Sequence, residues 1–184
     1  MESDGTTRGK ILLGVTGSIA AYKAAELIRR LASERYEVAV MMTASATRYV
    51  GPLTFQALSG RPVMTGRFEE LGDESFQHIE LSRWSDLIVL APCTANVMAK
   101  VAHGIADDLI TATVLARSAP LLIAPAMNDC MWDNPATQSN LSLLRERGIS
   151  VLDTGHGELA CGTVGLGRML EPPEIIRAIL ETLK

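Results

Sequence analysis

Three segments of the sequence have the same build, an aliphatic run that stops at a short turn of small and polar residues. They lie at residues 11–20, 87–96 and 121–132, and the third run ends in Pro-Ala-Met-Asn. Runs of this length fit buried strands, and open α/β sheets bind ligands outside the carboxyl ends of their strands. We therefore expect the three turns to meet at one edge of a sheet, with the Asn128 amide projecting from it.

Apolar runs alternate with segments of helical period along the rest of the chain. The pattern predicts strands at residues 10–15, 37–43, 86–91, 120–125 and 149–153, and helices at 18–34, 94–116 (one or two helices), 135–147 and 173–183. Residues 65–77 are predicted to form a surface loop. Aliphatic strands that alternate with helices indicate a parallel sheet covered on both faces. The predicted fold class is α/β, a Rossmann-like (flavodoxin-like) parallel sheet with helices on both faces, in three layers.

Length and composition restrict the classes of protein further. The 184 residues suit a single domain, which we place at residues 9–184 after a flexible N-terminus at 1–8. Hydrophobic residues make up 47% and aromatic residues 4%, which predicts an aliphatic core rich in small residues. The net charge of -4, with no Lys/Arg cluster, argues against nucleic-acid binding. No run approaches the roughly 18 apolar residues of a membrane span, and the first residues are polar, so we expect a cytoplasmic protein without membrane contact.

The cysteines indicate neither a disulfide framework nor a metal site. The sequence contains three cysteines, Cys93, Cys130 and Cys161. Their number is odd, they are far apart, and no two of them form a Cys-x-x-Cys pair. We expect three free thiols and no bound metal.

The first strand-ending turn has the residues of an anion site. Gly17 and Ser18 stand between a strand and a helix, where backbone N–H groups and a hydroxyl would face a phosphate. Thr43 to Ser45 and Thr94 to Asn96 occupy equivalent places after other strands. The G-x-G-x-x-G and P-loop motifs are both missing, and each of these turns is also explained by ordinary helix N-caps. Three such turns at one sheet edge favour a phosphate-bearing cofactor.

A glycine-rich segment at about residues 154–168 connects the last strand to the last helix. It carries Cys161 and Arg168, and its glycines would allow a loop to close over a substrate. The guanidinium could hold a carboxylate or phosphate through two hydrogen bonds. The alternatives are a flexible connector with a tucked-in cysteine and a solvated or helix-capping arginine.

Five motifs in this order resemble the flavin-dependent cysteine decarboxylases over about residues 9–182. They are GSIAAYK at 17–23, HIEL at 78–81, APCTAN at 91–96, PAMNDCMW at 125–132, and ACG at 160–162 followed by Gly165, Gly167 and Arg168. The family usually has Pro-Ala-Ser-Ala-Asn-Thr at the fourth strand, from which residues 92–97 depart at three places. Thr94 retains the hydroxyl there, and Thr163 stands where an acidic residue often follows Ala-Cys-Gly.

The resemblance implies an FMN cofactor and assigns roles to individual residues. The implied FMN site comprises Gly17, Ser18, Ile19, Thr43, Ser45, Thr94, Ala95, Asn96 and Met127. His78 would act as a base, and Cys161 would donate a proton late in the cycle. Asn128 would bind the substrate carboxylate, while Leu159, Ala160 and Arg168 would belong to the clamp over the substrate. Oxidation of the thiol carbon would make the decarboxylation possible, because the resulting negative charge is delocalised onto sulfur as an enethiolate.

Within this family, Cys161 favours the branch that converts phosphopantothenoylcysteine to 4′-phosphopantetheine in coenzyme A biosynthesis. The alternative is a peptidyl-cysteine decarboxylase that forms a C-terminal enethiol in lanthipeptide-type pathways. A prenyl-flavin synthase-like protein and a non-catalytic flavin-binding protein are more remote alternatives. Many coenzyme A enzymes of this kind are fused to a ligase, and no ligase follows Lys184, so a separate protein, an excised domain and a pathway decarboxylase all stay open. The resemblance also implies a homotrimer or a dodecamer of trimers, with His78 completing a neighbouring subunit's site.

Overall fold

Six parallel strands form the central sheet of the computed structural model, which describes residues 7–65 and 77–184. The strands are β1 (Gly9–Val15), β2 (Tyr36–Met42), β3 (Met64–Thr65), β4 (Leu87–Cys93), β5 (Leu121–Pro125) and β6 (Ser150–Val151). They lie in the order β3-β2-β1-β4-β5-β6, the strand order of dinucleotide-binding Rossmann folds. The chain continues from β1 to β2 on one side of the sheet and from β4 to β5 on the other side. A crevice therefore opens between the carboxyl ends of the neighbouring strands β1 and β4.

Helices cover both faces of the sheet. They are α1 (Lys23–Ser33), α2 (Pro52–Ser59), α3 (Gln77–Trp84), α4 (Ala95–His103), α5 (Leu109–Leu115), α6 (Asp129–Asp133), α7 (Pro135–Glu146) and α8 (Pro172–Thr182). Alternate residues of β1 pack against the helix layers on opposite faces of the sheet. Ile11 and Leu13 pack with α1 and α8, whereas Leu12 packs with α4, α5 and α7. The predicted α/β fold with three layers is confirmed.

Small residues allow the helices to approach the sheet closely. Helix α1 buries Ala24, Leu27, Ile28 and Leu31 along one side, at the spacing of a helix face. A Cβ added to Gly14 in β1 would come within 3.4 Å of the Ile110 side chain in α5, and within 2.6 Å of the Leu90 side chain in β4. The central strands β1 and β4 contain no aromatic residue on either face, which agrees with the aliphatic core predicted from the composition.

Several short elements differ from the sequence predictions. The predicted helix 94–116 is two helices, because Gly104 has a φ of 70° and Asp108 caps a new helix by accepting from the Thr111 N–H. The two-residue strand β3, helix α3 and the one-turn helix α6 were not predicted, since elements this short carry little periodicity. Strand β6 has two residues where five were predicted.

The glycine-rich clamp forms an antiparallel hairpin. Strand β7 (Gly155–Glu158) pairs with β8 (Val164–Arg168), and the turn between them contains Gly162 with a φ of 86°. The sequence predicted only a closing loop here. Pairing was missed because Gly and polar residues dominate both strands.

Parts of two predictions lie outside the described residues. These are residues 1–6 of the predicted flexible N-terminus and residues 66–76 of the predicted surface loop. Thr7 and Arg8 are described, and the Arg8 N–H donates to the Arg35 carbonyl at 3.0 Å. In the described part of the chain, no helix combines the length and apolarity needed to cross a bilayer, and no group of three metal-ligating side chains comes together. The division into residues 1–8 and 9–184 stays a prediction.

Candidate active site

A cavity of about 700 Å³ lies at the carboxyl edge of the sheet, where the turns after β1, β4 and β5 meet the β7–β8 hairpin. Most of the residues predicted from the sequence line it: Gly17, Ser18, Ile19, Thr94, Ala95, Met127, Asn128, Leu159, Ala160, Cys161 and Arg168. The three strand-ending turns therefore do form one crevice.

Buried Thr16 joins the turn after β1 to the turn after β4. Its hydroxyl donates to the Pro92 carbonyl at 2.8 Å and accepts from the Thr94 N–H at 3.0 Å. Thr94 in turn caps α4 by accepting from the Val97 N–H. Thr16 was missed from the sequence because a threonine between Val15 and Gly17 carries no signal of a contact 76 residues away.

Gly17 lets the turns after β1 and β2 touch. A Cβ at this position would come within 2.5 Å of the Ser45 Cβ, so a larger residue would push the two turns apart. Ser45 therefore lies behind Gly17 and does not line the cavity formed by the described residues. Thr43 and Asn96 do not line this cavity of the described residues either. The Thr43 hydroxyl accepts from the Ala46 N–H, and Asn96 is exposed in the first turn of α4.

Asn128 performs two tasks at the end of β5. Its Oδ1 accepts from the Cys130 N–H at 2.9 Å, which caps α6 and fixes the side chain. Its Nδ2 donates to the Sγ of Cys161 at 3.1 Å, on the tip of the hairpin. The structure thus brings together two predicted catalytic residues that are 33 positions apart in sequence.

Close contacts that require glycine hold the hairpin on the Pro-Ala-Met-Asn turn. The Met127 N–H donates to the Gly167 carbonyl at 2.9 Å, and the Gly167 N–H donates to the Thr154 hydroxyl at 3.0 Å. Gly167 has a φ of 122°, and a Cβ there would collide with the Met127 carbonyl oxygen. The hairpin is therefore packed directly over Asn128.

The environments of two cysteines move their pKa values in opposite directions. Hydrogen bonds from the Thr163 side chain and backbone, and then from Asn128, lower the pKa of exposed Cys161 below its usual value of 9.0. Burial raises the pKa of Cys93 on β4 to about 12. The Cys161 thiol at the cavity therefore ionises more easily than an ordinary thiol, whereas Cys93 is an inert core residue.

A basic pair shares one carboxylate beside the cavity. Lys23 is only 7% exposed, and its Nζ donates to Glu171 at 2.7 Å and to the Met169 carbonyl at 3.3 Å. Arg168, predicted to bind substrate, also donates to Glu171, at 3.2 Å. The Lys23 hydrogen bond is the main reason that the pKa of Glu171 lies below its usual value of 4.5. Arg168 therefore faces the cavity with its charge partly balanced.

The sequence pattern of the Flavoprotein family matches residues 2–184. The chain belongs to this family. The coenzyme A biosynthesis bifunctional protein CoaBC of Vibrio vulnificus (strain YJ016) is 50% identical to this flavoprotein over 167 residues, or 91% of this chain and 42% of the relative. The CoaBC protein of Bacillus subtilis (strain 168) is 49% identical, again over 91% of this chain and 41% of its own. The flavoprotein therefore spans less than half the length of these relatives.

Solved structures of cysteine decarboxylases have the same fold. A PPC decarboxylase mutant complexed with pantothenoylaminoethenethiol superposes with a TM-score of 0.80 at 35% identity, covering 94% of this chain and 98% of that one. The FMN-dependent cysteine decarboxylase SpaF gives a TM-score of 0.80 at 33% identity, covering 98% and 100%. The resemblance of this flavoprotein to the flavin-dependent cysteine decarboxylases is confirmed.

The cavity of the flavoprotein suits FMN, the cofactor indicated by this family. Its volume lies within the roughly 300–1,000 Å³ of small-molecule sites. Apolar side chains that the sequence analysis missed line it, namely Tyr22, Tyr49, Met131 and Met169. Tyr22 and Tyr49 are 61% and 52% exposed, which is unusual for aromatics and fits the faces of a flat ring. Gly17 and Ser18, also in the lining, precede the helical turn leading into α1, where N–H groups attract a phosphate.

His78 lies apart from this cavity within one chain of the flavoprotein. It is the second residue of α3, which packs against α5, and α3 contributes no residue to the cavity lining formed by the described residues. Its role as a base stays a prediction.

Proposed function

We propose that the chain catalyses the FMN-dependent decarboxylation of phosphopantothenoylcysteine to 4′-phosphopantetheine. The observation that carries this proposal is the 3.1 Å contact between Asn128 Nδ2 and Cys161 Sγ in one cavity. An amide N–H suited to a carboxylate and a thiol suited to proton donation converge there. The relatives named for coenzyme A biosynthesis support the choice of substrate.

The chemistry explains why both groups are needed. A carboxylate on a carbon next to CH₂SH does not leave readily, because the electron pair left on carbon has no acceptor. When bound, FMN would supply the oxidation of the thiol carbon and the later return of the same electrons. The side chains of this protein would then orient the carboxylate, exclude water and move protons.

We assign each of these side chains one task in the reaction. His78 would take the proton of the substrate thiol, and Asn128 would hold the carboxylate until carbon dioxide leaves. Leu159 and Ala160, both on the cavity wall, would cover the reacting atoms and keep water out. Cys161 would then protonate the enethiolate carbon, which breaks its S–H bond and forms the C–H bond of the product.

The residues that line the cavity give the proposed FMN contacts. Gly17, Ser18 and Thr94 would bind the phosphate through backbone N–H and hydroxyl groups. Ile19, Ala95 and Met127 would contact the ring system and ribityl chain. Thr43, Ser45 and Asn96 stay predicted contacts that the cavity of a single chain does not include.

A peptidyl-cysteine decarboxylase is the second candidate. It is favoured by the similarity to the structure of the peptidyl-cysteine decarboxylase EpiD, which has a TM-score of 0.77 at 25% identity to this chain. For this activity the enethiol would be the final product, and Cys161 would have no proton to deliver.

We also propose that the active form is a homotrimer or a larger assembly of trimers. The support is that His78 does not line the cavity that the described residues of its own chain form. A second copy placed with its α3 at the cavity mouth would supply this histidine. We propose separately that the protein is cytoplasmic, as the sequence predicts.

The product masses test the proposed function. The FMN-loaded protein is incubated with phosphopantothenoylcysteine and, separately, with a peptide ending in cysteine. We expect the first substrate to lose carbon dioxide without net oxidation, and Cys161→Ser to stop at the enethiol, two hydrogens lighter. Loss of carbon dioxide and two hydrogens from the peptide alone would assign the peptide reaction instead, and saturated product from Cys161→Ser would remove the proton-donor role.

A further inference from the structure

Two residues next to Cys161 have no part in the function proposed above. The Thr163 Oγ1 lies 3.2 Å from the Cys161 Sγ and donates to the Asp129 Oδ1 at 3.3 Å. A chain of hydrogen bonds therefore runs from the thiol on the hairpin tip to the first residue of α6.

The number of protons limits how the hydrogen bonds of this chain can be arranged. A threonine hydroxyl has one proton to donate, and an ionised carboxylate can only accept. When the Thr163 proton goes to Asp129, the thiol proton of neutral Cys161 can point at the Thr163 oxygen. Once Cys161 has lost its proton, the hydroxyl can rotate and donate to the thiolate, beside the Asn128 amide. The same hydroxyl can thus bind both forms of the cysteine.

The backbone around Thr163 holds this geometry in place. The Leu159 N–H donates to the Thr163 carbonyl at 2.7 Å, and the Gly162 N–H donates to the Leu159 carbonyl at 2.9 Å. A Cβ at Gly165 would come within 2.8 Å of the Asp129 Cβ, so the hairpin lies directly on this residue. The hydroxyl and the carboxylate therefore meet through fixed backbone segments.

We propose that Thr163, held by Asp129, is the positioning residue of Cys161 and stabilises the thiolate that remains after proton transfer. The inference deepens the proposed function and rests on it for the step in which Cys161 acts. In that step the S–H bond of Cys161 breaks, a C–H bond forms on the enethiolate carbon, and the sulfur retains the electron pair. Water then returns a proton to the exposed sulfur.

Alkylation of the FMN-loaded protein by iodoacetamide tests this without any substrate. The rate at Cys161 is followed by peptide mass spectrometry across pH 5–10, with Cys130 of the same sample as the internal reference. Thr163→Val removes the hydroxyl while conserving size, and we expect alkylation of Cys161 at neutral pH to slow roughly three- to ten-fold because less thiolate is present. Thr163→Ser should restore the wild-type profile. An unchanged profile in Thr163→Val would overturn the inference.

A second variant should move the profile the other way. Asp129→Asn retains an oxygen that can accept from Thr163 but removes a negative charge from beside the thiol. We expect faster alkylation of Cys161 at neutral pH, since the thiolate is no longer opposed by a like charge and Thr163 is freer to donate to it. Slower alkylation in both variants would indicate general damage to the hairpin and contradict the proposed arrangement.

The product distribution connects the positioning role to turnover. With phosphopantothenoylcysteine, Thr163→Val should release a several-fold larger share of enethiol than the wild type, and Thr163→Ser should not. If the wild type releases no carbon dioxide from any cysteine substrate, the proposed function fails while the alkylation result stands. If the wild type turns over and Thr163→Val shifts neither profile nor product, only the positioning role fails.

Discussion

At the scale of single residues, Asn128 is the side chain whose two contacts can be separated. Its oxygen caps α6 and its nitrogen donates to Cys161. Asn128→Asp retains an oxygen for the Cys130 N–H but replaces the donor by a negative charge. We expect kcat/KM for carbon dioxide release to fall roughly 100-fold or more, because a hydrogen bond is lost and the substrate carboxylate is repelled. Steady-state kinetics measure this, and FMN absorbance checks that the cofactor is still bound.

Asn134 provides the matched control for that substitution. It caps α7 by accepting from the Ala136 N–H at 2.9 Å, just as Asn128 caps α6, but it has no contact with Cys161 in the described structure. Asn134→Asp should leave kcat/KM within about two-fold of the wild type, since aspartate is an equally good N-cap. Equal losses in both variants would mean that capping, and not the donor at Cys161, explains the effect.

At the scale of secondary-structure elements, the docking of the β7–β8 hairpin depends on Gly167. Gly167→Ala adds a Cβ that collides with the Met127 carbonyl, at a φ of 122° that other residues rarely adopt. We expect the hairpin to lose about 2–3 kcal/mol of local stability while the central sheet stays folded. Hydrogen exchange measures this at the Met127 N–H, which donates to the Gly167 carbonyl and should lose its protection.

Gly162→Ala is the control for backbone strain alone. Gly162 also has a positive φ, of 86°, but a Cβ there would meet no atom within 4 Å. The hairpin should therefore loosen by about 1 kcal/mol and stay docked on Met127. If Gly162→Ala exposed the Met127 N–H as much as Gly167→Ala does, close packing against the Pro-Ala-Met-Asn turn would not be what holds the hairpin.

At the scale of the whole molecule, the position of His78 predicts that two chains share each active site. His78→Asn and Asn128→Asp should each have little activity as pure proteins. When the two variants are co-expressed and mix at random, about one quarter of the sites combine a native His78 with a native Asn128 of different chains. We therefore expect about a quarter of the wild-type rate of carbon dioxide release.

Separate purification gives the control for complementation. Pure variants mixed without exchange of chains should still have little activity, and mass spectrometry of differently tagged chains reports whether hybrids form. Hybrids that form without regaining activity would show that His78 and Asn128 do not act across an interface.

Much of the fold was predictable because it depends on local chemistry. The aliphatic runs at β1, β4 and β5 fit buried strands, and Gly17, Thr94 and Asn128 follow them at places that parallel strands bring to one edge. The motif containing Cys161 lies at the hairpin tip, which lines the cavity. These signals lie within a few residues of each other, so they are visible in the sequence.

Only the tertiary structure decided which distant groups touch. Thr16 connects to Pro92, Asn128 to Cys161, and Thr163 to Asp129, over separations of 76, 33 and 34 residues. Lys23 pairs with Glu171 across 148 positions, and nothing in the helical pattern around Lys23 indicates a buried ion pair. Hydrophobic periodicity specifies which side of an element is buried, but a hydrogen bond requires two atoms within about 3 Å. That precision comes from the packing of the hairpin and the sheet edge, which the folded chain alone determines.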